Sequence, residues 1–334
     1  MQTDELLLTH PHPPAPRHLH LAIDGARLLR RSWKGTAKER HSSRDLPNPQ
    51  AARDALAREA AARMREGFVF VRDSAGAPHG QPVLRCAPPN PDGPQTFDLH
   101  PHGHTLAIAS LHRGAYGADL HLVDVTTGQR RLVHTETPGS GPPRQTFIHT
   151  LLFDADGTGL VYALNGETRH LDLTTGATRI LAAYEQLWHV DTGRLLHSTR
   201  FPFPFASTTG RTGISHLGFD ATETFLLATG GFAEGPFALP VEGNTLAWAV
   251  ADPYRTDRYG TCFSWQYSPQ GDLLAIGGRL GATLHLPTGE PSPVTLAPSH
   301  TGRTHRVVFS ADGTLLACGG DTGQLSVLHL TSQP

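Results

Sequence analysis

The chain is predicted to be mainly β: a β-propeller of six four-stranded blades, with seven as the alternative count, behind a small N-terminal α+β domain. Three observations carry that prediction. One hairpin motif recurs along the chain, its spacing matches the length of a propeller blade, and the charge changes sign near residue 72.

At the N-terminus, residues 1–16 are rich in Pro and His and read as a disordered tail. His18 to Ile23 alternates as a strand, Asp24-Gly25 offers a hairpin turn, and Ala26 to Trp33 returns as a second strand. A helix follows. Asn48 stands at its cap, Pro49 at the first helical position, and QAARDALAREAAARMRE runs to a stop at Gly67. Asp54 with Arg58 and Glu59 with Arg63 have the four-residue spacing of ion pairs on one helix face. Phe68 to Val71 reads as a closing strand and residues 73–80 as a linker. Residues 17–72 carry 13 Lys or Arg against 6 Asp or Glu, whereas residues 73–334 carry 15 against 22, so a basic domain precedes an acidic one.

The second domain, residues 81–334, is defined by its repeats. FSADGTLLACGG from Phe309 is echoed by YSPQGDLLAIGG from Tyr267, FDATETFLLATGG from Phe219, FDADGTGLVYAL from Phe153 and LHPHGHTLAIA from Leu99. Each joins an apolar or aromatic residue, a polar turn and an apolar run, the pattern of two short strands around a tight turn. With Glu223 where one copy lacks the glycine, the turns fall at 103, 157, 223, 271 and 313, at intervals of 54, 66, 48 and 42 residues. A four-stranded blade takes about 40 to 50 residues. A third strand and its turn recur in LHLVDVTTGQ to Gln129, RHLDLTTGA to Ala177 and LHLPTGE to Glu290. LWHVDTGRLL from Leu187 lies in the longest interval and reads either as the first hairpin of an irregular blade or as a third-to-fourth strand turn, so six blades are counted and seven allowed. The last repeat stops after its third strand, and the spare strand Pro82 to Ala87 is expected to complete it and remove the open edge.

Residues 81–330 thus resemble the WD-repeat propeller family, with Val123-Asp124, Leu171-Asp172 and Leu328-His329 at the place of the naming dipeptide and Trp188-His189 keeping its Trp. Residues 17–72 are similar to the WGR domain in their RSWKGT stretch, Ala-rich helix and Gly67-Phe68. That family occurs beside poly(ADP-ribose) polymerase catalytic domains and in bacterial proteins, and some members engage DNA ends through a Trp-Gly-Arg motif. Trp33 matches the Trp, but Lys34-Gly35 follows where Gly-Arg is expected, and the next strand reads as shortened.

The candidate nucleic-acid residues are Arg30, Arg31, Trp33, Lys34, Lys38 and Arg40, whose cations could neutralise phosphates and whose Trp could stack. The competing reading makes Trp33 a core residue and the charges a solvated face. For a protein partner the candidates are Phe201, Phe203, Phe205, Tyr254, Arg255, Arg258 and Tyr259, aromatic and Arg anchors on long loops. His100, His102 and His104 have the spacing of metal ligands on a strand, yet they align with the hairpin turn Ser268-Pro269-Gln270-Gly271 and are assigned to a turn. No nucleophile elbow, phosphate loop, HExxH or dinucleotide fingerprint is present, so no catalytic residues, metal or cofactor are assigned. Cys86, Cys262 and Cys318 are expected to be buried free thiols. The start lacks a signal-peptide pattern and no apolar run reaches a membrane span, so a cytoplasmic protein is expected. The expected function is a non-enzymatic protein-interaction scaffold. A DNA-end or break adaptor acting through the basic domain is the alternative, and a propeller enzyme is the third reading.

Overall fold

The computed structural model describes residues 5–11, 15–89, 94–111, 117–137, 148–164, 167–183, 262–279, 281–286, 291–292, 296, 303–320 and 323–330, with backbone strands at 187–189, 194–197, 214–219, 225–230, 237–240 and 249–250. Strands β1 (Glu5–His10), β2 (Arg17–Asp24), β3 (Arg27–Lys34) and β4 (Arg40–Asp45) form an antiparallel meander in sequence order. Period-two alternation gives this sheet its two sides. Leu6 lies opposite Leu21 and Leu8 opposite Leu19, and all four are buried against Ala55, Leu56, Ala60 and Met64 of helix α1 (Pro49–Arg65).

The helix ends are set by local chemistry. Asn48 Oδ1 accepts the Ala51 N–H at 2.8 Å, with Pro49 in the first turn. At the other end Gly67 takes φ 98°. Its N–H reaches the Met64 carbonyl at 3.0 Å, and the Phe68 N–H reaches the Arg63 carbonyl at 3.0 Å, a Schellman closure. Glu59 and Arg63, expected to pair with each other, find other partners: Glu59 meets Arg30 of β3 at 3.1 Å and Arg63 meets Glu66 at 2.7 Å.

Three expectations for the N-terminus are corrected. The tail is not wholly disordered, because Glu5–His10 is the first strand of the sheet, with Leu6 and Leu8 supplying the buried alternation. The strand after the Trp33 turn is not shortened, since Arg40–Asp45 pairs with β3 along its length. The closing strand leaves its own domain. β5 (Phe70–Val71) pairs with β6 (Pro82–Cys86), while Val69 and Thr9 exchange two backbone hydrogen bonds of 2.8 Å. Between β5 and β6 the supposed linker contains a 3-10 turn, Ser74–Gly76, whose N-cap Asp73 accepts the Ala75 N–H.

Six further sheets lie beyond residue 81 among the described residues, the last of which also takes in β5. The first holds β7 (Pro94–Leu99), β8 (Thr105–Leu111), β9 (Ala118–Asp124) and β10 (Arg130–Glu136); the second β11 (Ile148–Phe153), β12 (Gly159–Leu164), β13 (Glu167–Asp172) and β14 (Thr178–Ala183). A two-stranded piece, β15 (Leu187–His189) with β16 (Arg194–His197), precedes β17 (Ile214–Phe219), β18 (Phe225–Gly230), β19 (Phe237–Pro240) and β20 (Ala249–Val250). Next come β21 (Cys262–Tyr267), β22 (Leu274–Gly278) and β23 (Gly281–His285), and then β24 (Thr304–Phe309), β25 (Leu315–Gly320) and β26 (Leu325–His329). First strands of consecutive sheets adjoin, β17 to β21 to β24 to β7 to β11, so the sheets stand face to face as propeller blades. Mainly antiparallel β architecture is therefore the fold.

The last sheet has the order β24-β25-β26-β6-β5, so the early strand closes the ring as the repeat pattern requires. Its core is shared across the closure. Val69, Val83, Leu84 and Cys86 pack with Phe97, Leu99, Leu106 and Ile108 of the first blade and with Val308, Leu315, Leu325 and Val327 of the last. Cys86 and Cys318 are buried cysteines outside any disulfide, and burial pushes the Cys86 thiol up to about 12. The Cys262 side chain lies outside the described residues.

Side-chain latches repeat between blades. Asp98 of β7 accepts the Phe153 N–H of the next blade at 2.8 Å, and Gln266 of β21 accepts the Phe309 N–H of its next blade at 2.7 Å. The two latches occupy the same position in the repeat, the second residue before the hairpin turn. Burial pushes the Asp98 carboxyl up to about 6, against the pull of Arg306 and of the Phe153 and Leu99 N–H groups.

Candidate binding site

The hairpin turns of successive blades interlock on one face of the ring. Gly103, Gly157, Gly271 and Gly313 all have φ between 72° and 76°, the left-handed region that suits glycine. Two of them also need the missing Cβ for space. The His100 ring of the first blade fills that position at Gly157 of the second, and Gln270 fills it at Gly313 of the last. Gln270 further donates to the Asp312 carbonyl at 3.1 Å. His100 stacks edge-on to Phe153, 4.9 Å between ring centres, and burial and the neighbouring His102 hold it below the usual histidine range. The His100-Pro101-His102-Gly103 segment is thus a turn, as alignment with the other repeats requires. Among the described residues no group of three His, Cys, Asp or Glu is placed to hold a metal ion.

The turns between third and fourth strands are capped by their own aspartates. Asp124 Oδ1 accepts the Thr126 and Thr127 N–H groups at 2.9 and 2.7 Å and both hydroxyls, and Asp172 does the same for the Thr174 and Thr175 N–H groups. Burial raises the Asp124 carboxyl, but the hydrogen bonds from both threonines outweigh it and hold the group low. In Val123-Asp124 and Leu171-Asp172 the aspartate is a turn cap.

Between the first and last blades this face opens into a cavity of about 430 Å³. Arg72, Asp73, Ser74 and Ala75 of the segment between β5 and β6 form one wall. His102, His104, Val125 and Thr126 of the first blade form the second, and Asp312, Thr314, Leu315 and His329 of the last blade the third, with Val83 also lining it. Neither carboxylate is free. Asp73 caps the 3-10 turn, and Asp312 accepts from the Ser310 hydroxyl at 2.6 Å and from the Thr314 N–H and hydroxyl at 3.0 and 2.8 Å. Burial alone would raise Asp312, yet these bonds keep it below the usual carboxylate range. His329 donates through Nδ1 to the Ala77 carbonyl, 2.9 Å away, which orients its ring. Sequence reasoning missed this site. Its walls come from segments more than 200 residues apart, and Arg72 to Ala75 carry no motif.

The candidate basic residues are divided by the pleat. Register places Arg30 beside Leu21 on the helix side, and Arg40 shares that side through Ser32. Arg31 and Trp33 lie on the open side with His20 and His18. There the Trp33 ring stacks on His18 at 5.0 Å and 22°, His18 bonds Thr9 at 3.1 Å, and Arg31 Nε donates to His20 at 3.2 Å. Trp33 is half-buried, and Lys34 and Lys38 are exposed near the β3–β4 turn. Glu39 stands 3.8 Å from Arg31 and offsets part of the charge. Phe201, Phe203, Phe205, Tyr254, Arg255, Arg258 and Tyr259 lie outside the described residues.

No protein-family model and no curated protein matches the chain. Among solved structures, a chain of the mitotic checkpoint complex crystal structure is similar at 12% identity, covering 76% of this chain and 93% of that one with a TM-score of 0.50. The C-terminal WD40 domain of Sif2 aligns at 14% identity over 72% of this chain and 97% of its own, with a TM-score of 0.45. The likeness to the checkpoint chain is one of fold alone, in keeping with the succession of antiparallel sheets beyond residue 81. Among the described residues no helix is long and apolar enough to cross a membrane.

Proposed function

We propose that the protein is a non-enzymatic interaction scaffold, a six-bladed WD-repeat-like propeller with a WGR-like domain attached at its ring closure. The observation that supports this reading is the interlocked turn face. Turns capped by their own aspartates and wedged by side chains of the preceding blade make a stiff rim, and rigid frames of this kind present binding loops at little ordering cost. On the sequence alone, Phe201, Phe203, Phe205, Tyr254, Arg255, Arg258 and Tyr259 are the candidate anchors for a partner. The test is affinity capture of the intact chain from its native cells before and after nuclease treatment. Protein partners that survive nuclease, and that are lost on Arg255→Glu with Arg258→Glu at an unchanged melting temperature, fit the scaffold. Capture that vanishes with nuclease contradicts it.

One observation favours nucleic-acid association as the second reading. Trp33, stacked on His18 beside Arg31, stands on the sheet side that the helix leaves open. On this reading Lys34 and Lys38 join them at phosphates, while Arg30 and Arg40 on the opposite side do not. Trp33→Ala should then abolish any preference of the intact chain for DNA ends over closed circles. Equal binding to both forms by the wild type sinks this reading and leaves the scaffold untouched.

A further inference from the structure

The cavity at the junction of the first blade, the last blade and the β5–β6 segment has an unequal set of partners. Its two carboxylates are engaged with turn N–H and hydroxyl groups, and its threonine hydroxyls are engaged with them or with Asp124. The basic side chains are not so engaged. Arg72 lies over the Phe70 ring at 5.4 Å and has no ion-pair partner among the described residues, while the His102 and His104 side chains are exposed at the opposite wall. Val83, Val125 and Leu315 supply the apolar part of the lining. A guanidinium is a strong, directional donor to carboxylate and phosphate oxygens, and imidazoles add further donors. The volume, about 430 Å³, falls within the range of about 300–1,000 Å³ usual for small-molecule sites.

We propose that this cavity binds a small organic anion, a carboxylate or phosphate group carried on an apolar body. The anionic group meets Arg72, His102 and His104, and the apolar body lies on Val83, Val125 and Leu315. Because the walls belong to the ring closure and to the segment leading out of the N-terminal domain, an occupied site ties the three together. This assignment is independent of the scaffold reading: a propeller that captures no protein still carries the cavity.

The test is calorimetric titration of the intact chain with benzoate and with phenyl phosphate, using benzyl alcohol as the uncharged counterpart. Saturable one-to-one binding of at least one anion is expected, with none for the alcohol. The tighter of the two tells which group the site takes. Arg72→Gln and His104→Gln should each weaken binding about tenfold, the loss of one charge-assisted hydrogen bond. Their melting temperatures should stay at the wild-type value, and Arg131→Gln on the exposed outer strand of the first blade should bind as the wild type does. No saturation by either anion, equal binding of the alcohol, or undiminished affinity in both variants overturns the proposal. So does unfolding of both variants, which would assign these side chains to the fold.

Discussion

Gly157 and Gly176 have nearly the same backbone, φ 74° and 72°, and different neighbours: a Cβ at Gly157 would enter the His100 ring, while at Gly176 nothing lies within 4 Å. Gly176→Ala should therefore cost about 1–2 kcal/mol, the strain of a left-handed residue alone. Gly157→Ala should cost about 1–3 kcal/mol more, as overpacking against the preceding blade is added. Denaturant midpoints of the two variants measure the difference, and equal losses would mean that the turns do not interlock. The turns themselves were legible in sequence, because glycine closes four of the five copies. Their second role was not, since the side chain that fills the space comes from another repeat. The Asp caps were open to reading from the Asp-x-Thr-Thr-Gly spacing, although Val123-Asp124 also stands at the place of the family dipeptide.

At the scale of elements, β10 is held to the second blade by a buried acid. Glu136 accepts from the Tyr162 hydroxyl of β12 and from Arg169 of β13 at 2.9 and 3.1 Å, with His134 at 3.2 Å. Burial raises its carboxyl, but the bonds from His134 and Tyr162 and the charge of Arg169 win and hold it at about 2. A carboxyl depressed on folding stabilises the native state above its unfolded value, near 4.3, and that contribution fades as pH falls through about 2. Glu136→Gln should cost about 1.5–3 kcal/mol at pH 7, as hydrogen bonds to a charged group are lost. The gap between variant and wild type in unfolding experiments should close as pH falls from above 4.5 toward 2; a gap independent of pH would place the stabilisation elsewhere. The strands of the blades were legible from period-two runs. Two N-terminal strands were not: the ELLLTH alternation is short and followed by Pro and His, and RHSSRD is exposed throughout, so β4 has no apolar pattern to read.

Over the whole molecule, the charge boundary near residue 72 does not coincide with a structural one. Backbone pairing runs without a break from the N-terminal sheet through Thr9 and Val69 into β5, β6 and the last blade. Val69 and Val71 also press on Gly128 of the first blade, and Ala87 beyond β6 enters the core under the helix. The sequence carried the closure by Pro82–Cys86, because the last repeat lacks a strand; the sharing of β5 it could not carry, because two residues hold no periodicity. A domain with its own core, paired strand to strand with the ring closure, should unfold with the propeller rather than before it. Native-state hydrogen exchange compares the two parts directly. The account predicts that the amides of Leu19 and Leu21 in β2 and of Leu106 and Ile108 in β8 open with one common free energy and one dependence on denaturant. Exchange of the β2 amides at a much lower free energy, with a shallower dependence of their own, would contradict it and make the N-terminal domain an independent appendage.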